Sequence, residues 1–264
     1  MHAVAVIPAR FASTRFPGKP LAPLLGRPMI AWVVAAARAA VRVDQVLVAT
    51  DHDGIAAAAR TAGAEAVMTS PACASGTDRV AVAVRGMRAE IVVNVQGDEP
   101  LLDSADLDAL IDALDEDSGV KMATLARPLG DAREFADPNV VKVVCSAAGD
   151  ALYFSRAAIP FFRDAVPVFD PEGGGDAGTL TPGRPLGHLG IYAFRREALL
   201  AFSGLPQGVL EQAERLEQLR ALEAGWRIRV VPARGETLGV DTPADLARAE
   251  AVLAGREAGT VTLG

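Results

Sequence analysis

The sequence predicts an α/β fold in which helices cover both faces of a mostly parallel sheet. Short apolar runs alternate with longer helical segments through the first hundred residues. This β-α-β-α order is typical of parallel sheets, in which a crossover helix leads each strand to the next. Half of the 264 residues are hydrophobic, which is enough for a sizeable core.

In the first half of the chain, the predicted strands are continuous apolar runs, as expected for strands buried on both faces. They cover 4–7, 46–49, 64–68 and 91–95. Apolar or alanine-rich segments between and after them predict helices over 28–40, 53–62, 77–87 and 106–114.

In the second half, the runs 122–126, 140–145 and 151–154 lie close together, and no clear helix separates the last two. We interpret them as antiparallel additions to the sheet. Residues 164–185 are rich in Gly, Pro and Asp and predict a loop, either a functional lid or a plain linker. Further strands are predicted over 189–194 and 228–231, and further helices over 210–224 and 243–253, the last with Asp241 or Thr242 at its N-terminus.

Composition excludes several classes of function. Lys and Arg total 26 against 33 Asp and Glu, a net charge of −7, which disfavours nucleic acid as a partner. The two cysteines, Cys73 and Cys145, form no metal-type cluster. The sequence has neither a signal-peptide pattern nor an apolar stretch long enough to span a bilayer. We therefore expect a soluble cytoplasmic protein that binds no membrane.

A cationic loop follows the first strand and carries Arg10, Arg15 and Lys19, with small residues and Gly18 between them. Open α/β sheets bind ligands at the carboxyl ends of their strands. Several cations there indicate a polyanion, such as a nucleoside triphosphate. The alternative is a basic surface loop.

Two further segments carry carboxylates. Asp98 follows the strand at 91–95 and is a candidate ligand for Mg²⁺, which prefers oxygen donors. We expect Glu99, which precedes Pro100, to face solvent. Asp241 is either a second metal ligand or a helix N-cap, and both interpretations stay open.

A fourth candidate is Ser75-Gly76-Thr77, which could approach a base or a phosphate or could simply cap a helix. Two familiar nucleotide motifs are absent, because the chain has no G-x-x-x-x-G-K-[ST] loop and no G-x-G-x-x-G after the first strand. These absences favour a triphosphate site built from side chains and a metal.

Several motifs together resemble the 3-deoxy-manno-octulosonate cytidylyltransferase (CMP-Kdo synthetase) family. The resemblance covers about residues 4–253, and the motifs occur in the family's order. They are Ile7-Pro8-Ala9-Arg10, Arg15-x-Pro17-Gly18-Lys19-Pro20, Ala49-Thr50-Asp51, Ser75-Gly76-Thr77, Asn94-Val95-Gln96-Gly97-Asp98-Glu99-Pro100, Tyr153-Phe154-Ser155-Arg156, His188-Leu189-Gly190-Ile191-Tyr192, Leu216-Glu217-Gln218-Leu219-Arg220 and Gly239-Val240-Asp241-Thr242-Pro243.

The resemblance implies a three-layer α/β/α, Rossmann-like fold of the nucleotidyltransferase type, with a mixed, mainly parallel sheet. It implies one domain over 1–254, with a sugar-covering and dimerisation subregion over 122–194 and a tail over 255–264. The implied reaction is Mg²⁺-dependent: CTP and 3-deoxy-manno-octulosonate (Kdo) give CMP-Kdo and pyrophosphate, for lipopolysaccharide biosynthesis, in a homodimer. A related acid sugar such as 8-amino-Kdo, or a non-catalytic nucleotide-binding regulator, are the alternatives.

The resemblance also assigns roles to residues. The catalytic set is Arg10, Lys19, Asp98 and Asp241, of which Asp98 and Asp241 would hold Mg²⁺. The nucleotide would contact Ala9, Arg10, Arg15, Lys19, Ser75, Gly76, Thr77 and Asp98. The sugar acid would contact Gln96, Arg156, Arg163, His188, Tyr192, Glu217 and Gln218, with Arg156 as the partner of its carboxylate.

Overall fold

The computed structural model describes residues 2–12, 16–169, 180, 183–234 and 238–257. It divides the chain into two compact units, each described in turn. Unit 1 comprises Met1–Asp108 and Gly235–Gly264, and unit 2 comprises Ala109–Arg234. The single domain expected over 1–254 stays a prediction.

Unit 1 contains a parallel sheet with strand order β6-β1-β4-β5. Its elements are β1 (Ala3–Ala9), a 3₁₀ turn (Lys19–Leu21), β2 (Pro23–Leu24), β3 (Arg27–Pro28), α1 (Met29–Ala39), β4 (Gln45–Thr50), α2 (Asp53–Thr61), β5 (Glu65–Met68), α3 (Gly76–Val84), β6 (Ile91–Asn94), the start of α4 (Ser104–Glu116) and the closing helix α9 (Pro243–Glu257).

The central strand β1 is covered on both faces. Successive strand residues point to opposite faces, and all side chains from Ala3 to Ile7 are fully buried. This explains the continuous apolar run in the sequence, which confirms the prediction of a parallel sheet beginning with this strand.

The closing helix α9 packs against the β2–β3 hairpin. The sequence did not predict this hairpin. Leu24 and Met29 form a buried cluster with Val240 and Ala249. Strands of two residues are too short to show a hydrophobic period, so the hairpin had no detectable signal. The cluster holds the segment around residue 241 against the rest of unit 1.

Unit 2 contains the mixed part of the fold. Its elements are β7 (Met122–Pro128), α5 (Ala132–Ala136), β8 (Lys142–Cys145), β9 (Ala151–Ser155), β10 (Leu186–Arg195), α6 (Arg196–Phe202), α7 (Val209–Glu214), α8 (Leu219–Glu223) and β11 (Ile228–Pro232). β7 pairs with β11 in parallel and with β10 in antiparallel orientation, and β8 pairs antiparallel with β10 and β9. The predicted antiparallel additions are therefore confirmed.

The helix predicted over 210–224 is wrong as a single element. It is broken at Arg215, which adopts a left-handed conformation with φ 54°. The two short helices, α7 and α8, are joined instead by a buried ion pair. Arg220 donates from Nε to Oε2 of Glu211 at 2.8 Å and from Nη2 to Oε1 at 2.5 Å. The apolar pattern over 210–224 gave no sign of a left-handed turn at Arg215, so the sequence did not predict the break.

Helices α5 and α6 were not predicted. Of the loop expected over 164–185, residues 170–179 and 181–182 lie outside the described residues. In the part of the chain that the structure describes, no helix combines the length and apolar character needed to cross a membrane.

We expect Arg220→Met to lower the free energy of unfolding by about 3–5 kcal/mol, because Glu211 would be left as a buried, unpaired charge. Urea denaturation followed by circular dichroism measures this loss. The matched control is Arg248→Met, which breaks an exposed ion pair with Asp245 and should cost less than about 1 kcal/mol. Equal losses in the two variants would contradict the structural role of the buried pair.

Candidate functional site

A cavity of about 310 Å³ lies at the carboxyl ends of β1 and β6 in unit 1. This volume is within the range of small-ligand sites. Its walls carry Pro8, Ala9, Arg10, Lys19, Pro20, Cys73, Ala74, Ser75, Gly76, Arg79, Gln96, Gly97, Asp98 and Asp241. Most of the predicted nucleotide-side residues are among them, whereas Arg15 lies outside the described residues.

Gly97 allows the two strand ends to approach each other closely. A Cβ atom at this position would lie 2.9 Å from the backbone oxygen of Pro8, closer than real Cβ atoms come to a neighbour. The glycine therefore lets the turn that carries Asp98 pass directly over the end of β1.

The loop after β1 is closed by Gly18. Its N–H donates to the carbonyl of Phe11 at 3.0 Å, and its φ of 72° is a left-handed conformation that glycine adopts without strain. Phe11 stacks on His52, with ring centroids 4.2 Å apart. These contacts fix the start of the 3₁₀ turn, whose first residue is Lys19.

The ammonium group of Lys19 lies between two carboxylates. Its Nζ is 2.7 Å from Oδ2 of Asp98 and 3.2 Å from Oδ1 of Asp241. The Lys19 side chain is only 12% exposed, compared with 31% for Asp98 and 43% for Asp241, so the ammonium is the most enclosed of the three groups. The N–H of Val240 donates a hydrogen bond to the carbonyl of Asp98 at 2.9 Å, which places Asp98 beside Asp241.

The capping role considered for Asp241 falls to its neighbour Thr242. The hydroxyl of Thr242 accepts from the N–H of Asp245, and the carboxylate of Asp245 accepts from the N–H groups of Asp241 and Thr242. These are the reciprocal bonds of a helix start. The carboxylate of Asp241 is therefore turned towards Lys19.

The expectation that Glu99 faces solvent is wrong. Its Oε2 atom is buried and has no hydrogen-bond partner among the described residues. Burial, together with the negative charges of Asp98 and Asp241, raises the pKa of Glu99 to about 8, against the lowering effect of Lys19. At neutral pH this carboxyl is mostly protonated, so it adds little negative charge to the cavity.

The residues present fit a magnesium ion that shares its shell with a substrate. Asp98 and Asp241 both reach one cationic group, and carboxylate oxygens are the ligands that Mg²⁺ prefers. Within the described ranges, no cluster of three or more His, Cys, Asp or Glu side chains could hold a metal by itself. Two carboxylates with water and substrate phosphates suit Mg²⁺, which seldom occupies an all-protein cage.

The start of α3 forms another wall of the cavity. Ser75 caps this helix by accepting from the N–H of Asp78 at 3.0 Å, and Gly76 lies against Pro8. Thr77 differs from the expectation: it is buried, does not line the cavity, and accepts a hydrogen bond from Nδ2 of Asn94 at 3.1 Å.

Arg79 lines the cavity and was missed in the sequence. It is almost completely buried, and its guanidinium donates to Asp51 at 2.9 Å and to the hydroxyl of Thr69 at 2.5 Å. Arg79 ends the segment Ser75-Gly76-Thr77-Asp78-Arg79, whose pattern is equally that of an ordinary capping box. A buried arginine facing a cavity could not be distinguished from a surface arginine by sequence alone.

The predicted sugar-side residues fall in both units. Gln96 lines the cavity of unit 1. In unit 2, His188 and Tyr192 lie together on β10, with ring centroids 5.5 Å apart. Burial lowers the pKa of His188 to about 3, so its imidazole is neutral. Burial, and then the charge of Glu217, raise the pKa of Tyr192.

The remaining sugar-side residues differ in their surroundings. Gln218 is 3% exposed, and its Nε2 has no hydrogen-bond partner among the described residues. Arg156 donates from Nε to the Glu214 carbonyl and from Nη1 to the Pro138 carbonyl, both at 2.9 Å. Arg163 is 88% exposed, with Asp164 at 3.9 Å, so the structure does not place it in an enclosed site.

A parallel sheet with a cavity at the carboxyl ends of its strands, lined by cations and carboxylates, defines an α/β protein that binds a charged ligand. Comparison with known proteins narrows this class. A family model described as cytidylyltransferase matches residues 4–228. A solved structure of CMP:2-keto-3-deoxy-manno-octonic acid synthetase complexed with CTP is 40% identical, with a TM-score of 0.86, over 97% of this chain and 100% of that chain.

Curated relatives agree with that structure. A 3-deoxy-manno-octulosonate cytidylyltransferase of Anaeromyxobacter dehalogenans is 52% identical over 96% of this chain and 98% of its own length. One of Geobacter sulfurreducens is 49% identical over 93% of this chain and 97% of its own length. The chain therefore belongs to the 3-deoxy-manno-octulosonate cytidylyltransferase family, as the sequence motifs predicted.

We expect the stability of the metal-free protein to fall between about pH 4.5 and 8 because of Glu99. Its raised pKa means that the folded state keeps a proton that the unfolded state has released, so unfolding becomes easier as pH rises. Relative to Glu99→Gln, the wild type should lose about 1–3 kcal/mol over this interval.

Chemical denaturation at several pH values, in the presence of a chelator, measures this difference. Glu116→Gln, at an exposed glutamate, controls for the general effect of removing a carboxylate. A constant difference between the wild type and Glu99→Gln from pH 5 to pH 8 would show that Glu99 is not held protonated.

Proposed function

We propose that the protein transfers the cytidylyl group of CTP to Kdo, giving CMP-Kdo and pyrophosphate. The observation that carries this proposal is the placement of Lys19, Asp98 and Asp241 in a ligand-sized cavity at the strand ends. Relatives with this name match the chain over nearly their whole length, and a related structure is described as a complex with CTP.

In this reaction, the anomeric hydroxyl oxygen of Kdo attacks the α-phosphorus of CTP. The bond from that phosphorus to the oxygen bridging to the β-phosphorus breaks, pyrophosphate leaves, and the hydroxyl proton passes to solvent. Negative charge grows on the leaving group. Arg10 and Lys19 would stabilise it, because fixed cations in an enclosed site interact strongly with developing charge.

The two carboxylates beside Lys19 support a divalent cation at this point of the cavity. Asp98 and Asp241 carry two negative charges and Lys19 only one positive charge, so these three groups together are net negative, whereas Arg10 and Arg79 are the other cations of the cavity wall. We propose that Asp98 and Asp241 hold Mg²⁺, which reverses the sign of the group. When bound, Mg²⁺ would polarise the phosphate oxygens and neutralise charge on pyrophosphate. Protonated Glu99 supports this balance because it adds no further negative charge.

Two of the residues proposed to bind the sugar acid, Arg156 and Gln218, have donors without a partner among the described residues. The Nη2 group of Arg156 has no partner among the described residues, so it can donate to the Kdo carboxylate. The buried Nε2 of Gln218 can donate to a hydroxyl. We assign Gln96, His188, Tyr192 and Glu217 to the sugar hydroxyls, and we leave Arg163 as a weaker candidate because of its exposure.

Pyrophosphate release measured with each of the four nucleoside triphosphates, Mg²⁺ and Kdo tests the proposed function. Release with CTP and Kdo alone supports it. Release with 8-amino-Kdo but not Kdo would indicate the related acid sugar as substrate. Binding of CTP without release for any sugar would contradict catalysis and favour a regulator.

We expect Asp98→Asn to lower kcat/KM by at least about 100-fold, because one of two carboxylate ligands of the metal is lost. The thermal unfolding profile should remain close to that of the wild type, since Asp98 is partly exposed. Asp53→Asn, at an exposed residue in the first turn of α2, is the control and should keep its activity. Turnover at the wild-type rate in Asp98→Asn would exclude the metal role.

We also propose that the protein is a homodimer, formed through unit 2. The exposed large apolar side chains of unit 2 include Leu152, Phe161, Val166 and Val168, which are 60% to 86% exposed. Exposed apolar side chains of this size are candidates for a protein contact. Light scattering after size exclusion should give twice the 27.4 kDa chain mass, and Phe161→Ser should shift it towards the monomer. A monomeric wild type at micromolar concentration would contradict this assembly.

The proposed substrates also suggest where the protein works. CTP is a cytoplasmic nucleotide, so we propose that the protein acts in the cytoplasm on small molecules, without a nucleic-acid or membrane partner, and supplies activated Kdo for lipopolysaccharide biosynthesis. Detection of the protein in a membrane fraction would contradict this location.

A further inference from the structure

A buried threonine of unit 2 contacts the imidazole of His188. Thr124 lies on β7 and is fully buried. Its hydroxyl oxygen is 2.9 Å from Nε2 of His188, 2.8 Å from the carbonyl oxygen of Ile191 and 3.2 Å from that of Leu189. The pairing of β10 with β7 is irregular between Leu189 and Tyr192, which brings both carbonyls to the same hydroxyl.

The number of hydrogen-bond donors and acceptors at this contact determines which ring nitrogen of His188 is protonated. A threonine hydroxyl has one proton to donate and two lone pairs to accept with, whereas a carbonyl oxygen can only accept. Two arrangements are possible if Nε2 is unprotonated. In the first, the Thr124 hydroxyl donates to Nε2, and both carbonyl oxygens face lone pairs of the hydroxyl oxygen. In the second, the hydroxyl donates to a carbonyl, and Nε2 has no hydrogen-bond donor. Donation to Ile191 leaves a lone pair for an Nε2–H group, so two of the three close contacts become hydrogen bonds, against one in either arrangement with an unprotonated Nε2.

Two aromatic rings lie beside the imidazole. Phe154 meets it edge-on, with centroids 4.9 Å apart, and Tyr192 lies on another side. Burial lowers the pKa of His188, so the ring is neutral. A neutral ring with its proton on Nε2 has an acceptor lone pair on Nδ1, and Nδ1 has no hydrogen-bond partner among the described residues.

We infer that Thr124 is a positioning residue, which holds His188 as the Nε2–H tautomer so that Nδ1 accepts a hydrogen bond from a hydroxyl of the sugar acid. The tautomer follows from the contacts within unit 2. The part that concerns the sugar acid rests on the proposed function. Thr124 itself need not touch the substrate, because it acts through the orientation and protonation pattern of His188.

The tautomer is tested by long-range ¹H–¹⁵N spectra of the whole chain with labelled histidine. The chain has only three histidines, so loss of one set of signals in His188→Gln assigns this residue. The wild type should show the pattern of a protonated Nε2 and an unprotonated Nδ1. A protonated Nδ1 in the wild type would overturn the inference.

Two variants separate positioning from simple packing. Thr124→Val keeps the shape but has no hydroxyl to accept from Nε2–H, so His188 should lose its single tautomer and KM for Kdo should rise about 5- to 10-fold. KM for CTP should stay within a factor of about 2. Thr124→Ser restores the hydroxyl and should restore both the spectrum and KM.

A Thr124→Val protein with an unchanged spectrum and unchanged KM for Kdo would also overturn the inference, as would an equal rise in the two KM values. If Thr124→Val does not fold, the wild-type spectrum and the Thr124→Ser variant still test the tautomer of His188. If the protein does not use Kdo at all, the proposed function fails, whereas the spectrum, which needs no substrate, still tests the tautomer.

Discussion

The ammonium group of Lys19 joins three segments that are far apart in the sequence. It contacts Asp98 after β6 and Asp241 before α9, while its own loop follows β1. Each contact depends on a backbone feature: Gly18 starts the turn of Lys19, Gly97 lets Asp98 pass over the end of β1, and the Asp98 carbonyl holds Val240. The charged wall of the cavity therefore forms where these three segments meet at Lys19.

The same convergence gives the site its chemistry. A lysine between two carboxylates stabilises them without a metal, yet the group keeps one net negative charge, which a triphosphate would avoid. The proposed divalent cation, held by Asp98 and Asp241, would add two positive charges and would also bind phosphate oxygens. Protonated Glu99, held neutral by burial beside these acids, keeps the local charge from becoming more negative. Binding of the nucleotide and of the metal are therefore expected to depend on each other.

The sequence predicted features that extend over several residues, but it did not predict the conformation or burial of single residues. The parallel strands of unit 1 were predictable because each is a continuous apolar run, and the cationic loop was predictable from its place after the first run. The break at Arg215, the burial of Glu99 and the contact of Thr124 with His188 were not. Each of these depends on long-range packing, which leaves no period and no composition signal. Arg79 was hidden for the same reason, since burial decides its role.

Binding of Mn²⁺ in the absence of nucleotide, followed by electron paramagnetic resonance, tests the central claim most directly. If Lys19 occupies the place of a metal between Asp98 and Asp241, Lys19→Met should bind Mn²⁺ at least about 10-fold more tightly than the wild type, because a competing cation is removed. Lys121→Met, in unit 2, should bind as the wild type does. Equal Mn²⁺ affinity in the wild type and Lys19→Met would contradict a shared cation site.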